Sequence, residues 1–303
     1  MTSRTQGYIF ILITMCIWGG FTIFSRLNAH WHINAWDLVA MRFAIASMIL
    51  MPILIYKKDL AFLWQPRAVI LALIGGLAYC FTVYIAFLHA PAAHAAIFLN
   101  GCIPLCTAVA AYLIFKQPFD KHTWMSLVIM LSALALMSYL MLHEQTTVFG
   151  VGDVLLFMSA VWWGIFTVLL KQWKMSAWHS TASVVIWSAL IYLPIYFLFI
   201  PKHFHEAEPL HLVIQGLFHG VLVVIIATLT YVAAIERLGA FKTGSIVTLA
   251  PFIAAVIAVP LLNEPLSLAV ACGLVGMAIG ALQPWRWRRQ DSLSQQLSQQ
   301  NKN

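Results

Sequence analysis

The chain has 303 residues, of which 62% are hydrophobic and 9% charged, with a formal net charge of +7. A water-soluble domain carries about 25% charged residues to cover its surface, so this composition excludes one and leaves a membrane protein. The basic excess sits in short loops between apolar runs rather than on one clustered face, which argues for membrane topology and against nucleic-acid binding.

A bilayer core is crossed by about 20 apolar residues in helical form. Ten such runs follow one another, at roughly 7–27, 36–56, 67–88, 93–115, 121–142, 150–171, 178–200, 210–235, 241–262 and 266–284. The first is too long for a signal-peptide core and lacks a small-x-small cleavage site, so it reads as a retained span. It carries Trp18-Gly19-Gly20, and Trp18 lies about ten residues in, near ~15 Å depth. Tryptophan ordinarily prefers the membrane interfaces, so a midplane tryptophan beside glycines marks a candidate cavity wall, or else a close helix contact. The second span holds Arg42, the one basic residue well inside a run. An intramembrane charge is costly and by default functional: it can receive a substrate carboxylate, pair with Asp37 or Asp153, or snorkel outward.

The third span offers Tyr79 near its middle and Tyr84 nearer one end, the latter a gate or anchor candidate. The fourth is interrupted by Pro104, with Asn100 and Thr107 close by. Its Cys102 and Cys106 share a helix face, but none of the five cysteines forms a Cys-x-x-Cys pair, so neither a disulfide framework nor a metal site is signalled. The sixth span carries Trp162 and Trp163, again near the midplane, and the eighth carries Tyr231. The ninth is interrupted by Pro251, with Ser245 and Thr248 beside it as polar candidates. Matched proline-broken spans free backbone carbonyls toward a binding region, which makes Pro104 and Pro251 hinge candidates. Serine and threonine in such spans also commonly bond their own helix. Residues 290–303, rich in Gln, Ser and Asn, read as a disordered cytoplasmic tail.

With the N-terminus cytoplasmic, 14 of the 17 basic residues fall on the cytoplasmic side and only Arg26 and Lys202 on the other. The positive-inside rule then sets both termini in the cytoplasm of a bacterial-type inner membrane. Seven histidines (30, 32, 89, 94, 143, 203 and 205) fall on or near the external face and read as solvated loop residues, with pH sensing as the functional alternative.

The chain also echoes itself. Trp18-Gly19-Gly20 resembles Trp162-Trp163-Gly164, while Ala35-Trp36 and Pro52 recur as Ala177-Trp178 and Pro194 at an offset of 142. Tyr84, Pro104 and Pro118 recur as Tyr231, Pro251 and Pro265 at an offset of 147. Residues 1–145 and 146–289 are therefore expected to be two five-helix repeats, the second inverted because five is odd. Inverted repeats are the architecture of secondary transporters, whose halves exchange conformations around one site.

On these residues the chain resembles the drug/metabolite transporter superfamily, EamA type. The resemblance is carried by the Trp18-Gly19 signature, by Met41-Arg42-Phe43, and by the stretch from Gly239 to Pro265 with its Thr248-Leu249-Ala250-Pro251-Phe252 core and closing Asn263-Glu264-Pro265. It implies an all-α integral membrane fold of ten transmembrane helices around a central cavity, the fifth and tenth peripheral, and exporters of amino acids and related metabolites. Gln117 stands where the second copy has Glu264, which sets the first copy apart from the family pattern.

The expectation is a secondary transporter exporting small neutral or zwitterionic metabolites by alternating access. Trp18, Tyr79, Trp162, Trp163, Asn100, Thr248, Ser245 and Arg42 are its substrate-binding candidates, and Pro104, Pro251, Tyr84 and Tyr231 its hinge or gate candidates. The rivals are a multidrug exporter of lipophilic cations, which a buried acid would favour, and a passive pore. No carboxylate lies mid-span and no Walker, His-Glu-x-x-His or Gly-x-Ser-x-Gly motif occurs, so neither ATP use nor an enzyme is expected. The expected partners are a small-molecule substrate and the lipid bilayer, with no cofactor and no nucleic acid, in a monomer or homodimer.

Overall fold

The computed structural model describes residues 3–116, 121–144, 149–238, 243, 246, 247, 250 and 268–282, and these are helical with short connections. Apolar runs become helices because a membrane offers the backbone no other partner: each N–H must find a carbonyl within its own segment. The helices are α1 (Ser3–His30), α2 (Ala35–Lys57), α3 (Pro66–His89), α4 (Phe98–Phe115), α5 (Lys121–Glu144), α6 (Val151–Trp173), α7 (Ala177–Phe199), α8 (Pro209–Leu238) and α9 (Leu268–Leu282), the last within the tenth apolar run. Seven of them, all but α5 and α9, are long and apolar enough to cross a membrane. Their outward faces are apolar: Met48, Tyr56, Leu198 and Phe199 are largely exposed, as lipid-facing side chains are.

Helix starts follow local chemistry. The Asn34 side chain accepts from Trp36 N at the start of α2, and Ser176 Oγ accepts from His179 N at the start of α7. These caps stand 142 residues apart, as do Ala35 and Ala177, and both helices carry their proline, Pro52 or Pro194, at the same place. α2, α4 and α6 each stop at a lysine in the left-handed region, Lys58, Lys116 and Lys174, where the cap N–H bonds the last carbonyls. A cation there also complements the negative end of the helix dipole.

Three helices widen into π turns, at Ala72–Ala78 in α3, Ala96–Gly101 leading into α4, and Phe218–Ala227 in α8. At the offset of 147 that relates Tyr84 to Tyr231, residues 72–78 correspond to 219–225, so the widening recurs at matching places. π turns inside α-helices are frequent at functional sites.

Helices of the first half pack on helices of the second: α1 on α8, α2 on α7, α3 and α4 on α6, and α5 on α9. Glycines set these approaches. A Cβ on Gly216 or Gly220 of α8 would run into Ile45 of α2, and one on Gly276 or Gly280 of α9 into Ala133 or Met130 of α5. Both pairs are spaced by four, the small-xxx-small pattern that lets membrane helices touch closely. The core runs through the middle of this assembly and is built from Phe43, Tyr84, Phe87, Leu99, Leu156 and Tyr196 among others.

Candidate functional site

Four of the candidate side chains converge. Trp18 of α1 and Trp163 of α6 meet edge to face, with ring centroids 5.9 Å apart. Trp18 also packs on Tyr231 of α8 at 4.9 Å, and Trp163 on Tyr79 of α3 at the same 4.9 Å. Each tryptophan lies on a tyrosine of the helix its own helix packs against, although the two tyrosines stand at different repeat positions: at the offset of 147 Tyr231 answers to Tyr84 and Tyr79 to Ile226.

The hydroxyl bridges that hold these helices repeat the pattern. Thr14 Oγ1 and Thr230 Oγ1 are 2.8 Å apart between α1 and α8, and Ser159 Oγ donates to Thr82 Oγ1 at 2.8 Å between α6 and α3. Thr14 lies four residues before Trp18, and Ser159 four before Trp163, one helical turn in each case. Each of these hydroxyls also bonds a carbonyl of its own helix, so the bridges add a contact between helices at matching heights, one turn from each tryptophan. Gly164 completes the placement, because a Cβ there would meet the backbone of Cys106 and Thr107 at 2.8 Å.

A second cluster adjoins the first. Arg42 of α2, buried with 6% of its surface exposed, donates from Nη1 to Tyr84 Oη at 2.6 Å. The Tyr84 hydroxyl lies 2.9 Å from Nδ1 of His219, a fully buried residue in the widened turn of α8. The Tyr84 oxygen accepts from Arg42, and where its O–H donates to Nδ1 the His219 hydrogen stands on Nε2. Phe21, three residues after Trp18 on α1, contacts both Tyr84 (6.1 Å) and His219 (5.6 Å), so the two clusters share one helix face. Close approach of α2 and α8 brings the pair together: a Cβ on Gly220 would stand 3.2 Å from the Arg42 carbonyl oxygen.

Tyr84 and Tyr231, grouped in the sequence as possible gates, thus divide between the two clusters. Arg42 pairs with neither of the carboxylates considered for it. Asp37 accepts from the Tyr196 hydroxyl at 2.5 Å and from His203 N at 2.9 Å, and Asp153 lies 2.7 Å from His94 Nδ1. Of the neighbouring tryptophans, Trp163 faces Trp18, while Trp162 packs at the edge of the core with a buried Nε1 that has no hydrogen-bond partner. Asn100 is half-buried in the π turn that opens α4, and Pro104 stands two residues after Cys102, where the π turn gives way to α-helix. Thr107 bonds its own helix at Ile103 O, the local reading of that residue. Ser245, Thr248 and Pro251 lie outside the described residues, as do Gln117 and Glu264.

Two histidines escape the sequence reading. His94 is no solvated loop residue: it is 1% exposed and closed over by the first turn of α6. His219 went unremarked, although a lone ionisable side chain inside an apolar run is the same signal that singled out Arg42.

Comparison with known proteins agrees with this architecture. A family model described as the EamA-like transporter family matches residues 5–139 and again residues 150–283. A solved crystal structure of a protein, 18% identical in sequence, superposes with a TM-score of 0.64 over 93% of this chain and 96% of that one, a likeness of fold. No curated protein matches the chain.

Proposed function

Because this chain belongs to the EamA-like transporter family, we propose that it is a secondary transporter whose substrates are small neutral or zwitterionic metabolites, amino acids first among them, and that it exports them across a bacterial-type inner membrane. Its working form has ten membrane-crossing helices, arranged as two inverted five-helix repeats that alternate access to one central site. The single observation that carries this reading is the aromatic cluster to which both halves contribute, with Trp18 on Tyr231, Trp163 on Tyr79 and the two tryptophans on each other. The packing of helices supports it as well. Exchanging the halves turns the α1–α8 contact into α6–α3 and returns α2–α7 to itself, as a two-fold relation requires. A site to which both halves contribute can be opened to either side as the halves exchange conformations.

The cluster suits an apolar or aromatic side chain and, through its ring faces, an ammonium group. The lysines that close α2, α4 and α6 support cytoplasmic ends for those helices. Purified protein in proteoliposomes, given labelled amino acids and lipophilic cations with and without a pH gradient, tests the proposal. Saturable amino-acid uptake is expected, reduced about tenfold or more by Trp18→Ala, the loss of roughly 1.4 kcal/mol of aromatic contact. Cations moving alone would favour the multidrug reading, and unsaturable flux of every solute would favour a pore.

A further inference from the structure

The Arg42–Tyr84–His219 cluster is unfinished as a structural element. The guanidinium is buried, yet its Nε has no hydrogen-bond partner, and neither does Nε2 of His219. Among the described residues no carboxylate pairs with Arg42. A buried cation is ordinarily matched by an anion, because desolvating it alone is expensive, and buried N–H donors are ordinarily bonded. Here a cation, its Nε–H and an imidazole nitrogen remain open in one cluster, joined through the Tyr84 hydroxyl that contacts both side chains. The cluster is also asymmetric. At the repeat offsets Val184 stands opposite Arg42 and Ala72 opposite His219, so the charge is no by-product of the doubled framework.

We infer that Arg42 and His219, aligned by Tyr84, form a receptor for a carboxylate of the transported substrate. The carboxylate oxygens accept from Arg42 Nε and from His219 Nε2, and the guanidinium neutralises the charge. Phe21 lies one turn from Trp18 and touches both Tyr84 and His219, so the rest of the substrate extends along α1 toward the Trp18–Trp163 cluster. A zwitterion then meets a cation at one end and ring faces at the other. This assignment rests on the transport reading above, and it names the part of the substrate that the chain recognises.

The test uses the full-length purified protein and three probes at equal ionic strength: sodium phenylacetate, phenylacetamide and sodium chloride. Thermal unfolding midpoints are read for the parent, Arg42→Gln and His219→Asn, each measured as the increment above its own ligand-free value, since a ligand that binds only the folded state raises the midpoint. Phenylacetate is expected to raise the parent midpoint by several degrees while the amide and chloride leave it in place, and each substitution should remove most of that increment. An equal response to phenylacetamide overturns the proposal, as does an equal response to chloride, which would mark a general anion site. Persistence of the phenylacetate increment in both variants also overturns it. If Arg42→Gln does not fold, His219→Asn decides alone.

A transport arm separates this inference from the one it rests on. Labelled phenylalanine should be carried about tenfold faster than phenylalaninamide, a ratio that collapses toward one in His219→Asn. Phenylacetate binding without carriage of any amino acid would sink the substrate reading and leave the receptor standing. Carriage of phenylalanine and its amide at equal rates would sink the receptor and leave the transport reading intact.

Discussion

Asp153 shows how much one buried side chain can hold together. Its carboxylate takes the Gly150 N–H at 2.9 Å and the His94 ring at 2.7 Å, so it caps α6 and ties the turn before α4 to it. Asp153→Ala strands His94 Nδ1 inside the protein and removes an acid from the positive end of the α6 dipole. Each orphaned buried donor costs about 1–3 kcal/mol and the lost dipole contact about 0.5 kcal/mol, so a destabilisation of roughly 2–3 kcal/mol is expected. Asp153 uses a different oxygen for each contact, so Asp153→Asn keeps one acceptor, turns its NH2 toward the other donor and carries a smaller share of the cost, about 1–2 kcal/mol. Thermal unfolding of the two variants in detergent checks the order, and equal midpoints for Asp153→Ala and the parent would refute it. His94 itself was legible in the sequence only as a neighbour of an external loop, because burial there depends on the start of α6, some 55 residues away. Trp18 and Arg42 were legible because each breaks the rule for its depth in the membrane, and His219 breaks that rule too.

Helices here are positioned by glycines, and what each glycine faces decides how much an added methyl costs. A Cβ on Gly164 meets backbone atoms of Cys106 and Thr107 at 2.8 Å, and backbone cannot rotate out of the way. A Cβ on Gly216 meets the Cδ1 end of Ile45 at 2.7 Å, a terminal methyl that can change rotamer. Gly164→Ala is therefore expected to cost about 2–3 kcal/mol and to push α6 off α4, while Gly216→Ala costs about 1 kcal/mol or less. Since Trp163 adjoins Gly164, the first change should also lower transport beyond its effect on stability, whereas the second should not. Measuring unfolding midpoint and uptake for both variants tests this, and a Gly216→Ala protein as damaged as Gly164→Ala would be the contrary result. The element scale was only partly legible beforehand. The break at Pro104 follows from proline chemistry, but the π turns at Ala72–Ala78 and Phe218–Ala227 contain no proline and leave no mark in hydropathy. They arise where a helix must widen to fit its neighbours, which only the packed assembly determines.

Among the described residues, the apolar runs located the helices to within a few residues because caps and charges bound them, Asn34 and Lys58 for α2, Ser176 for α7, Lys174 for α6. The orientation proposed above rests on those same charges. Lys58, Lys116 and Lys174 are held at helix ends by left-handed caps, so their ammonium groups are anchored at fixed depth instead of trailing in a long loop. Charges within about 15 residues of a span end are the ones that orient it, and in the proposed ten-span topology 14 of the 17 basic residues fall on one side. In a background with the five native cysteines replaced, Lys58→Cys and Lys174→Cys should resist a membrane-impermeant maleimide added to intact cells, and Lys202→Cys should react. After permeabilisation all three should label. Reaction of Lys58→Cys from outside would reverse the topology, and with it the side on which the Asp37–Tyr196 and Asp153–His94 contacts close the protein. Labelling of all three in intact cells would mean that both orientations coexist, which so lopsided a charge distribution opposes.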